Sequence, residues 1–401
     1  MVQKVIKWKA NELPKNSAAE MERELNIFAP EEIEKVINFH RSFPQYEVTP
    51  LAKLDNLAKY LGIKKFAVKD ESYRFGLNAF KVLGASYSMG RYLAKRLGRD
   101  ISELPYNVMV SDDVRKELGE IKFFAATDGN HGRAVAWTAN QLKQPCTIYM
   151  PKGSSLTRLN NIKKENADAS ITDMNYDEAV RLANENAEKV GGTIVQDTAW
   201  EGYTEIPEWI IQGYSTMVVE ALEQYDDVPT HVFLQAGVGS MASSVLGYLK
   251  KRFGANCPKV VILEPEVADC FYQSALKGER YVVEGDMFTI MAGLACGEPN
   301  LIGYEIIKDY AVGFASCSDS VSAYGMRILG NPLKGDDRVI AGESGAVGTG
   351  FLATVMQEKE YEGLKKELGL DENSKVLLIS SEGDTDPDCY RKIVWDCKNE
   401  Y

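Results

Sequence analysis

The chain of 401 residues has the composition of a globular protein, with 45% hydrophobic and 26% charged residues. Its 46 basic and 58 acidic residues give a formal net charge of −12, which disfavours binding to nucleic acid. No segment has the length and apolar character of a membrane-spanning helix, and the first residues do not form a signal peptide. Seven scattered cysteines without a C-x-x-C pair favour reduced thiols. We therefore expect a cytoplasmic protein with neither nucleic acid nor a membrane as partner.

Short apolar segments alternate with amphipathic segments along the chain. The strands predicted from this pattern are residues 123–127, 146–150, 170–173, 193–196, 231–235, 260–264 and 375–380. The predicted helices are residues 134–142, 156–165, 176–190, 208–224, 240–253 and 351–368. This alternation, with nearly all-apolar strands, is typical of α/β proteins whose mostly parallel sheets are covered by helices. Ligands in such folds bind at the C-terminal ends of the strands.

The division into domains is less clear from the sequence. The first 75 or so residues lack a clean strand–helix alternation, and we expect them to wrap around one domain. No Pro-, Gly- or Ser-rich linker divides the chain. We predict a large domain formed by residues 1–84 and 226–401, and a small domain formed by residues 85–225.

Four loops contain candidate functional residues, and the first contains Lys81 at the start of an amphipathic segment. Phe80, Val82 and Leu83 flank this lysine. Partial desolvation favours the neutral amine, which is a nucleophile towards carbonyl groups. The alternative is an ordinary amphipathic lysine whose ammonium extends from a helix into solvent.

The second loop follows the predicted strand 123–127 and precedes a predicted helix. It contains Thr127 and Asp128, followed by Asn130 and His131 between two glycines. Backbone N–H groups at such a helix start bind an anion, for example a carboxylate. The alternative is a well-capped helix start without a ligand.

The third loop contains Gly237, Val238, Gly239 and Ser240 between an apolar strand and a helix. Backbone N–H groups and the helix dipole make this arrangement suitable for binding phosphate. The segment also satisfies G-x-G-x-x-A, and Glu264 ends the next strand, so a dinucleotide site is a rival interpretation. No hydride-transfer site is evident nearby, and we therefore favour phosphate binding.

The fourth loop follows the predicted strand 375–380. Ser380 and Ser381 are followed there by Asp384 and Asp386, which places two hydroxyls and two carboxylates at the end of a buried strand. By itself this could be a turn that ends a strand. Residues 342–346 do not form a nucleophile elbow, and no Ser-His-Asp set is apparent.

The order of these four loops resembles that of the fold-type II pyridoxal-phosphate (PLP) enzymes, the tryptophan synthase β-like group, over about residues 51–387. The resemblance implies two α/β domains, each a mostly parallel sheet covered by helices, with the cofactor in the cleft between them. Phe80 and Lys81, followed by Gly84, match the motif of the lysine that binds the cofactor. The remaining roles that the resemblance implies are substrate binding by Thr127, Asp128, Asn130 and His131, contact of Asn130 with the cofactor, phosphate binding by Gly237, Val238, Gly239 and Ser240, and contact of Ser380 or Ser381 with the pyridine nitrogen.

The resemblance also implies a reaction, the α,β-elimination of 2,3-diaminopropionate, in D and L form, to pyruvate and ammonia. Residues 78–84, 126–133 and 195–203 favour this ammonia-lyase chemistry. Serine and threonine dehydratases usually carry SFKxRG, but Ala79 and Leu83 occupy the Ser and Arg positions here. A dehydratase of the same fold remains the alternative, followed by an NAD-dependent oxidoreductase. The expected partners are an amino-acid substrate and a second copy of the chain in a homodimer.

Three further residues have implied roles. Asp197 would select the diamino substrate by pairing with its ammonium, unless it is a turn or N-cap aspartate. Asp128 would be a second acid/base that acts on the D enantiomer while Lys81 acts on the L enantiomer, unless it caps a helix. Cys270 occupies a position where related enzymes have a metal ligand, so we expect no metal. A disulfide between Cys270 and Cys296 is a further hypothesis.

Overall fold

The computed structural model describes residues 5–127 and 129–400, without the side chain of Asp177. Its strands are β1 (Ile6–Ala10), β2 (Leu51–Lys53), β3 (Lys65–Asp70), β4 (Phe123–Ala126), β5 (Cys146–Met150), β6 (Asp168–Ile171), β7 (Thr193–Ile194), β8 (His231–Gln235), β9 (Lys259–Pro265), β10 (Gly313–Cys317) and β11 (Lys375–Ser380).

The helices lie between and around these strands. They are α1 (Ala18–Glu24), α2 (Pro30–Arg41), α3 (Asp55–Leu61), α4 (Val82–Leu97), α5 (Tyr106–Met109), α6 (Asp112–Leu118), α7 (Asn130–Gln141), α8 (Leu156–Lys163), α9 (Tyr176–Lys189), α10 (Glu205–Tyr225), α11 (Ser240–Phe253), α12 (Cys270–Lys277), α13 (Leu301–Tyr310), α14 (Asp319–Gly330), α15 (Glu343–Gln357), α16 (Glu362–Leu368) and α17 (Pro387–Val394). None of the helices in the described part of the chain has the length and hydrophobicity that a membrane crossing requires.

The chain divides into two compact units. Unit 1 comprises Met1–Phe28, Val48–Ala79 and Met217–Tyr401, and unit 2 comprises Ala29–Glu47 and Phe80–Thr216. Residues 29–47 belong to unit 2 because α2 packs on α4, where the ring of Phe39 lies against Gly90. The predicted domain limits after residues 84 and 225 stay a prediction, because units 1 and 2 are compact groups of residues and need not coincide with domains that fold independently.

Unit 1 contains a seven-stranded sheet in the order β1-β10-β9-β8-β11-β3-β2. The five inner strands from β10 to β3 are parallel to one another, and the edge strands β1 and β2 are antiparallel to them. β8 and β11 lie side by side, so the loops that follow them leave the sheet at the same edge. The third and fourth candidate loops are therefore neighbours.

Unit 2 contains a parallel four-stranded sheet in the order β6-β5-β4-β7. Phe124 and Ala126 of β4 pack with Ile194 of β7 and with small residues of α9 in a hydrophobic core. Since β4 and β7 are parallel neighbours, the loops that begin at Thr127 and Val195 start at the same edge of this sheet. The predicted α/β class with mostly parallel sheets is thereby confirmed in both units.

The predicted elements agree with the structure to different extents. The strands 146–150, 231–235 and 375–380 and the helix 240–253 are confirmed with the same limits as β5, β8, β11 and α11. The first 75 residues contain β1, β2 and β3 among three helices, none of which the sequence pattern predicted. The single helix predicted over 351–368 is also wrong: Glu358 has an extended backbone and separates α15 from α16.

Candidate active site

Lys81 lies immediately before α4, and its side chain points towards the loop that follows β7. Its Nζ lies 2.5 Å from Oδ2 of Asp197. The ring of Phe80 packs against Tyr214, with 4.7 Å between the ring centroids, and Lys81 Nζ lies 5.5 Å from the Phe80 centroid. Unit 2 therefore places the lysine in a partly apolar environment next to a carboxylate.

Asp197 and His131 are neighbours at the edge of the unit 2 sheet. His131 Nε2 donates a hydrogen bond to the Val195 carbonyl at 2.8 Å, and His131 Nδ1 lies 3.8 Å from Asp197 Oδ2. Burial lowers the pKa of His131, so its imidazole is neutral at neutral pH. Burial by itself would raise the pKa of Asp197, but the Lys81 ammonium holds that pKa well below its usual value. Asp197 is therefore an ionised carboxylate in a largely buried position.

The segment that carries Asp197 extends β7 by one backbone hydrogen bond and two hydrogen bonds to side chains. Val195 N donates to the Phe124 carbonyl at 2.7 Å, and the Gln196 side-chain oxygen accepts from Ala126 N at 3.2 Å. Tyr203 accepts from Gln196 N at 2.9 Å through its hydroxyl oxygen. These bonds are needed because β7 itself has two residues. They fix the backbone next to Asp197.

The second candidate loop turns sharply between β4 and α7. Thr127 N donates to the Tyr149 carbonyl at 3.0 Å, and Thr127 Oγ1 accepts from Gly129 N at 3.1 Å. The methyl group of Thr127 packs onto Gly132, where a Cβ would lie 2.0 Å from it. The turn therefore brings the start of α7, with Asn130 and His131, close to the end of β4. The predicted residue Asp128 lies outside the described residues.

The third candidate loop joins β8 to α11 in unit 1. Gly239 has a φ of +92°, and a Cβ there would lie 2.5 Å from the ring of Phe271. A Cβ on Gly237 would lie 3.2 Å from the Gly293 carbonyl oxygen. Both glycines allow close approach of the backbone, and α11 begins at Ser240 directly afterwards. The loop thus has the N–H groups and the helix dipole that favour an anion.

The two candidate serines after β11 have different hydrogen bonds. Ser380 Oγ donates to the Glu382 carbonyl at 3.2 Å, whereas Ser381 Oγ accepts from Gln235 Nε2 at 3.0 Å. Gln235 Nε2 also donates to the Ile379 carbonyl at 2.9 Å. Gln235 is a residue that the sequence analysis missed, although its position at the end of an apolar strand beside a glycine loop was a usable signal.

The residues of unit 1 fit a phosphorylated aromatic cofactor. Gly237 and Gly239 keep side chains out of the closely packed loop, and Ser381 supplies a buried hydroxyl. Ser344 Oγ is buried and has no hydrogen-bond partner in the described residues, and a Cβ on Gly293 would lie 2.9 Å from it. A buried hydroxyl without a partner in the described residues therefore lies beside Gly293, whose carbonyl oxygen is close to Gly237.

A metal site is not assembled around Glu264. Its two carboxylate oxygens accept from the backbone N–H groups of Phe271 and Tyr272, each at 2.8 Å, and burial raises its pKa to about 8. Within the described ranges, no three His, Cys, Asp or Glu side chains are grouped as metal ligands. Cys270 and Cys296 are both free thiols, so the structure does not contain the suggested disulfide.

Comparison with known proteins identifies the family. The model of the family "Pyridoxal-phosphate dependent enzyme" matches residues 43–379. Diaminopropionate ammonia-lyase of Salmonella typhimurium is 50% identical over 369 residues, which are 90% of this chain and 91% of the relative. The chain belongs to the PLP-dependent diaminopropionate ammonia-lyase family.

Solved structures support the same family. The holo diaminopropionate ammonia-lyase of Escherichia coli superposes with a TM-score of 0.90 at 46% identity, covering 98% of each chain. The same enzyme in complex with D-serine gives a TM-score of 0.89 at 45% identity, again over 98% of each chain. These matches confirm the predicted fold-type II PLP fold, the cofactor and the lyase class. They leave the NAD-dependent alternative without support.

Proposed function

We propose that the protein catalyses the α,β-elimination of 2,3-diaminopropionate to pyruvate and ammonia. The ion pair between Lys81 and Asp197, at 2.5 Å, is the observation that carries this proposal. It means that a largely buried carboxylate next to the cofactor-binding lysine accommodates a primary ammonium. The diamino substrate differs from serine in having such an ammonium on its β carbon. The 50% identity to a diaminopropionate ammonia-lyase supports the same substrate.

The chemistry of the proposed reaction assigns a first task to Lys81. PLP, when bound, supplies an electron sink that stabilises negative charge at the substrate Cα. Lys81 is the residue that would hold the cofactor covalently through its amine. Once released by the substrate amine, the same Nζ takes the Cα proton of the L enantiomer. Phe80 and Asp197 lie beside Nζ and fix the position of the amine for both tasks.

Asp197 acts on the leaving group in this proposal. The β-ammonium departs as neutral ammonia and takes the electron pair of the C–N bond with it, so it needs no proton donor. This ammonium needs an ionised carboxylate beside it. The Lys81 ammonium lowers the pKa of Asp197, and the β-ammonium of the substrate would take the place of that ammonium. The unsaturated product then reacts with water, which yields pyruvate and the second ammonia.

The start of α7 would bind the substrate carboxylate. Backbone N–H groups at this helix start, with Asn130 and Thr127 beside them, are suited to an anion. The neutral imidazole of His131 adds no charge there, and its bond to Val195 connects this loop to the segment of Asp197. We propose Asp128, from its place in the sequence just before this helix, as the base for the D enantiomer.

Unit 1 would hold the phosphate and the ring nitrogen of the cofactor. Gly237, Val238, Gly239 and Ser240 form the proposed phosphate loop. We assign the pyridine nitrogen to Ser381 rather than Ser380, because Ser380 donates its proton to a carbonyl, whereas Ser381 accepts from Gln235 and can donate its own. A hydroxyl at this nitrogen leaves it largely unprotonated, which favours elimination over transamination.

A second activity, the elimination of water from serine, is supported by one specific comparison. The Escherichia coli relative has been crystallised with D-serine. In this chain, Ala79 and Leu83 replace the usual dehydratase residues, so we expect serine to be the poorer substrate. From the same family membership we propose a homodimer, and from the free thiols a cytoplasmic location.

The test is an assay of products from purified protein with added PLP. We expect two ammonia molecules per pyruvate from diaminopropionate and one per pyruvate from serine, with the higher kcat/KM for diaminopropionate. Lys81→Ala should abolish both reactions, and Lys95→Ala, which changes an exposed lysine on α4, should abolish neither. Bound PLP without formation of pyruvate from diaminopropionate would refute the proposal.

A further inference from the structure

Asn300 is a completely buried polar residue that has no role in the mechanism above. It lies in unit 1 directly before α13, after Pro299. An amide side chain in such a position requires hydrogen bonds to compensate for the loss of water. Its hydrogen bonds lead to the proposed phosphate loop, about 60 residues earlier in the chain.

The side chain of Asn300 joins two helix starts. Its Oδ1 accepts from Ile302 N at 2.9 Å and from Gly303 N at 3.0 Å, which caps α13. Its Nδ2 donates to Ser240 Oγ at 3.2 Å, at the first residue of α11. The amide oxygen and the amide nitrogen therefore serve different helices.

The backbone of Asn300 holds the other side of the same loop. Asn300 N donates to the Val238 carbonyl at 2.8 Å. Gly303 packs against the loop as well, since a Cβ there would lie 3.3 Å from the Gly239 carbonyl oxygen. Asn300 thus fixes the residues on both sides of Gly239, whose positive φ sets the direction of the turn.

The hydrogen bond to Ser240 has a chemical consequence. A hydroxyl oxygen that accepts a bond from an amide directs its own O–H bond away from that donor. Asn300 therefore orients the Ser240 hydroxyl as a hydrogen-bond donor in another direction. A phosphate dianion accepts hydrogen bonds and does not donate them, so a donor is what it requires.

We propose that Asn300 is a positioning residue that sets the geometry of the phosphate loop and the direction of the Ser240 hydroxyl. This inference rests on the proposed function, in which residues 237–240 bind the phosphate of PLP. Its effect must therefore depend on the phosphate group. Pyridoxal, which lacks that group, should bind independently of Asn300.

The experiment compares PLP and pyridoxal binding to the apoprotein by absorbance titration. Asn300→Ser keeps an N-cap of equal preference but is too short to reach Ser240. We expect the Kd of PLP to rise about tenfold, or about 1.4 kcal/mol, and the Kd of pyridoxal to change less than about twofold. Asn300→Asp has the same shape and cap and places a negative charge beside the phosphate, so it should raise the PLP Kd further.

The control is Asn175→Ser, which changes the N-cap of α9, where Asn175 Oδ1 accepts from Glu178 N at 2.9 Å. It should leave both dissociation constants unchanged. The inference is overturned if the Asn300 variants bind PLP as wild type does, or if they weaken PLP and pyridoxal equally. If wild-type protein itself binds no PLP, the proposed function fails instead. The melting temperature of each apoprotein identifies any variant that does not fold. If Asn300→Ser does not fold, the PLP and pyridoxal dissociation constants of Asn300→Asp decide whether the inference holds.

Discussion

The ammonium of Lys81 and the carboxylate of Asp197 form a 2.5 Å ion pair across 116 residues of sequence. One residue precedes α4, and the other follows β7. In the proposed mechanism the lysine bonds to the cofactor and the carboxylate binds the leaving ammonium. The Lys81 ammonium therefore lies where Asp197 would later bind the β-ammonium of the substrate. Substitutions of either residue should have distinct and measurable effects.

Covalent trapping tests the assignment of Lys81. Borohydride reduction of the PLP-loaded protein should leave a stable adduct on Lys81, since a reduced Schiff base does not exchange. Peptide mass spectrometry locates the adduct. Lys81→Ala should show none and should lose about 10²- to 10⁴-fold in kcat with diaminopropionate. An adduct on the exposed Lys95, or retention of the adduct in Lys81→Ala, would show that another lysine holds the cofactor.

Asp197→Asn tests recognition of the diamino substrate. Loss of the carboxylate removes a charge-assisted interaction with the β-ammonium, which serine lacks. We expect KM for diaminopropionate to rise about tenfold or more and KM for serine to rise much less. Asp168→Asn, at an exposed position of β6 in the same unit, should change neither. Similar increases for both substrates would assign Asp197 to structure rather than to recognition.

Asp128→Asn tests the use of two bases. If Asp128 removes the Cα proton of the D enantiomer, the variant should lose about 10²-fold or more in turnover of D-diaminopropionate. Turnover of the L enantiomer depends on Lys81 and should survive in part. Coupled pyruvate assays on both enantiomers give the ratio of D to L turnover for the variant and for the wild type. A helix cap would affect both enantiomers alike through stability, by about 1 kcal/mol, and equal losses would contradict the role as a base.

Part of the fold was predictable because β4, β5, β8, β9 and β11 are largely apolar runs. β3 was not, because its last residues, Lys69 and Asp70, are charged and buried. Lys69 lies 2.8 Å from Glu220, which is distant in the sequence. A local pattern of hydrophobic residues cannot show that the charge of a buried lysine is balanced by a carboxylate far away in the sequence. The same reason explains why the helix 351–368 was predicted as one element, since no residue type marks the extended backbone at Glu358.

The candidate site was predictable where its residues are adjacent in the sequence. Asn130 and His131 share one motif, as do Gly237 and Ser240. Asn300 was missed, because its partner Ser240 belongs to a different segment and an isolated asparagine before a helix indicates no more than a cap. The pairing of Lys81 with Asp197 was likewise beyond the reach of local patterns, although each residue was singled out separately.

A buried charge network in unit 1 should dominate stability. Arg74 binds both Glu71 and Glu220 at 2.8 Å, and Lys69 binds Glu220, all with less than 2% of the side chain exposed. Burial would raise the pKa of Glu220, but Arg74 and Lys69 lower it to about 2. Glu220→Gln leaves the two buried cations Lys69 and Arg74 with Glu71 as the remaining carboxylate of the network, so it should reduce the free energy of unfolding by about 3–5 kcal/mol.

Urea denaturation measures this loss. The matched control is Asp226→Asn, which breaks the exposed pair with Lys53 at 3.4 Å and should cost less than about 1 kcal/mol. A loss for Glu220→Gln as small as that of the control would show that the network does not stabilise unit 1.

Glu343 should make stability depend on pH. Burial raises its pKa from 4.5 to about 7. Between these values the folded protein keeps the proton and the unfolded chain has lost it, so stability falls as pH rises through this window. Glu343→Gln cannot ionise. The free energy of unfolding of the variant, relative to wild type, should therefore increase from about pH 5 to about pH 8. Glu362→Gln, at an exposed position of α16, should retain the wild-type dependence.

β11 is the last strand of the chain, yet it lies inside the larger sheet, hydrogen-bonded to both β8 and β3. On the ribosome, unit 2 has all four of its strands once Thr216 has emerged. The β2–β3 pair has no neighbour on its β11 side until residues 375–380 follow. Unit 2 can therefore complete its sheet during translation. The sheet that supports the proposed phosphate loop closes only when β11 has joined β8 and β3, so unit 1 completes its sheet later than unit 2.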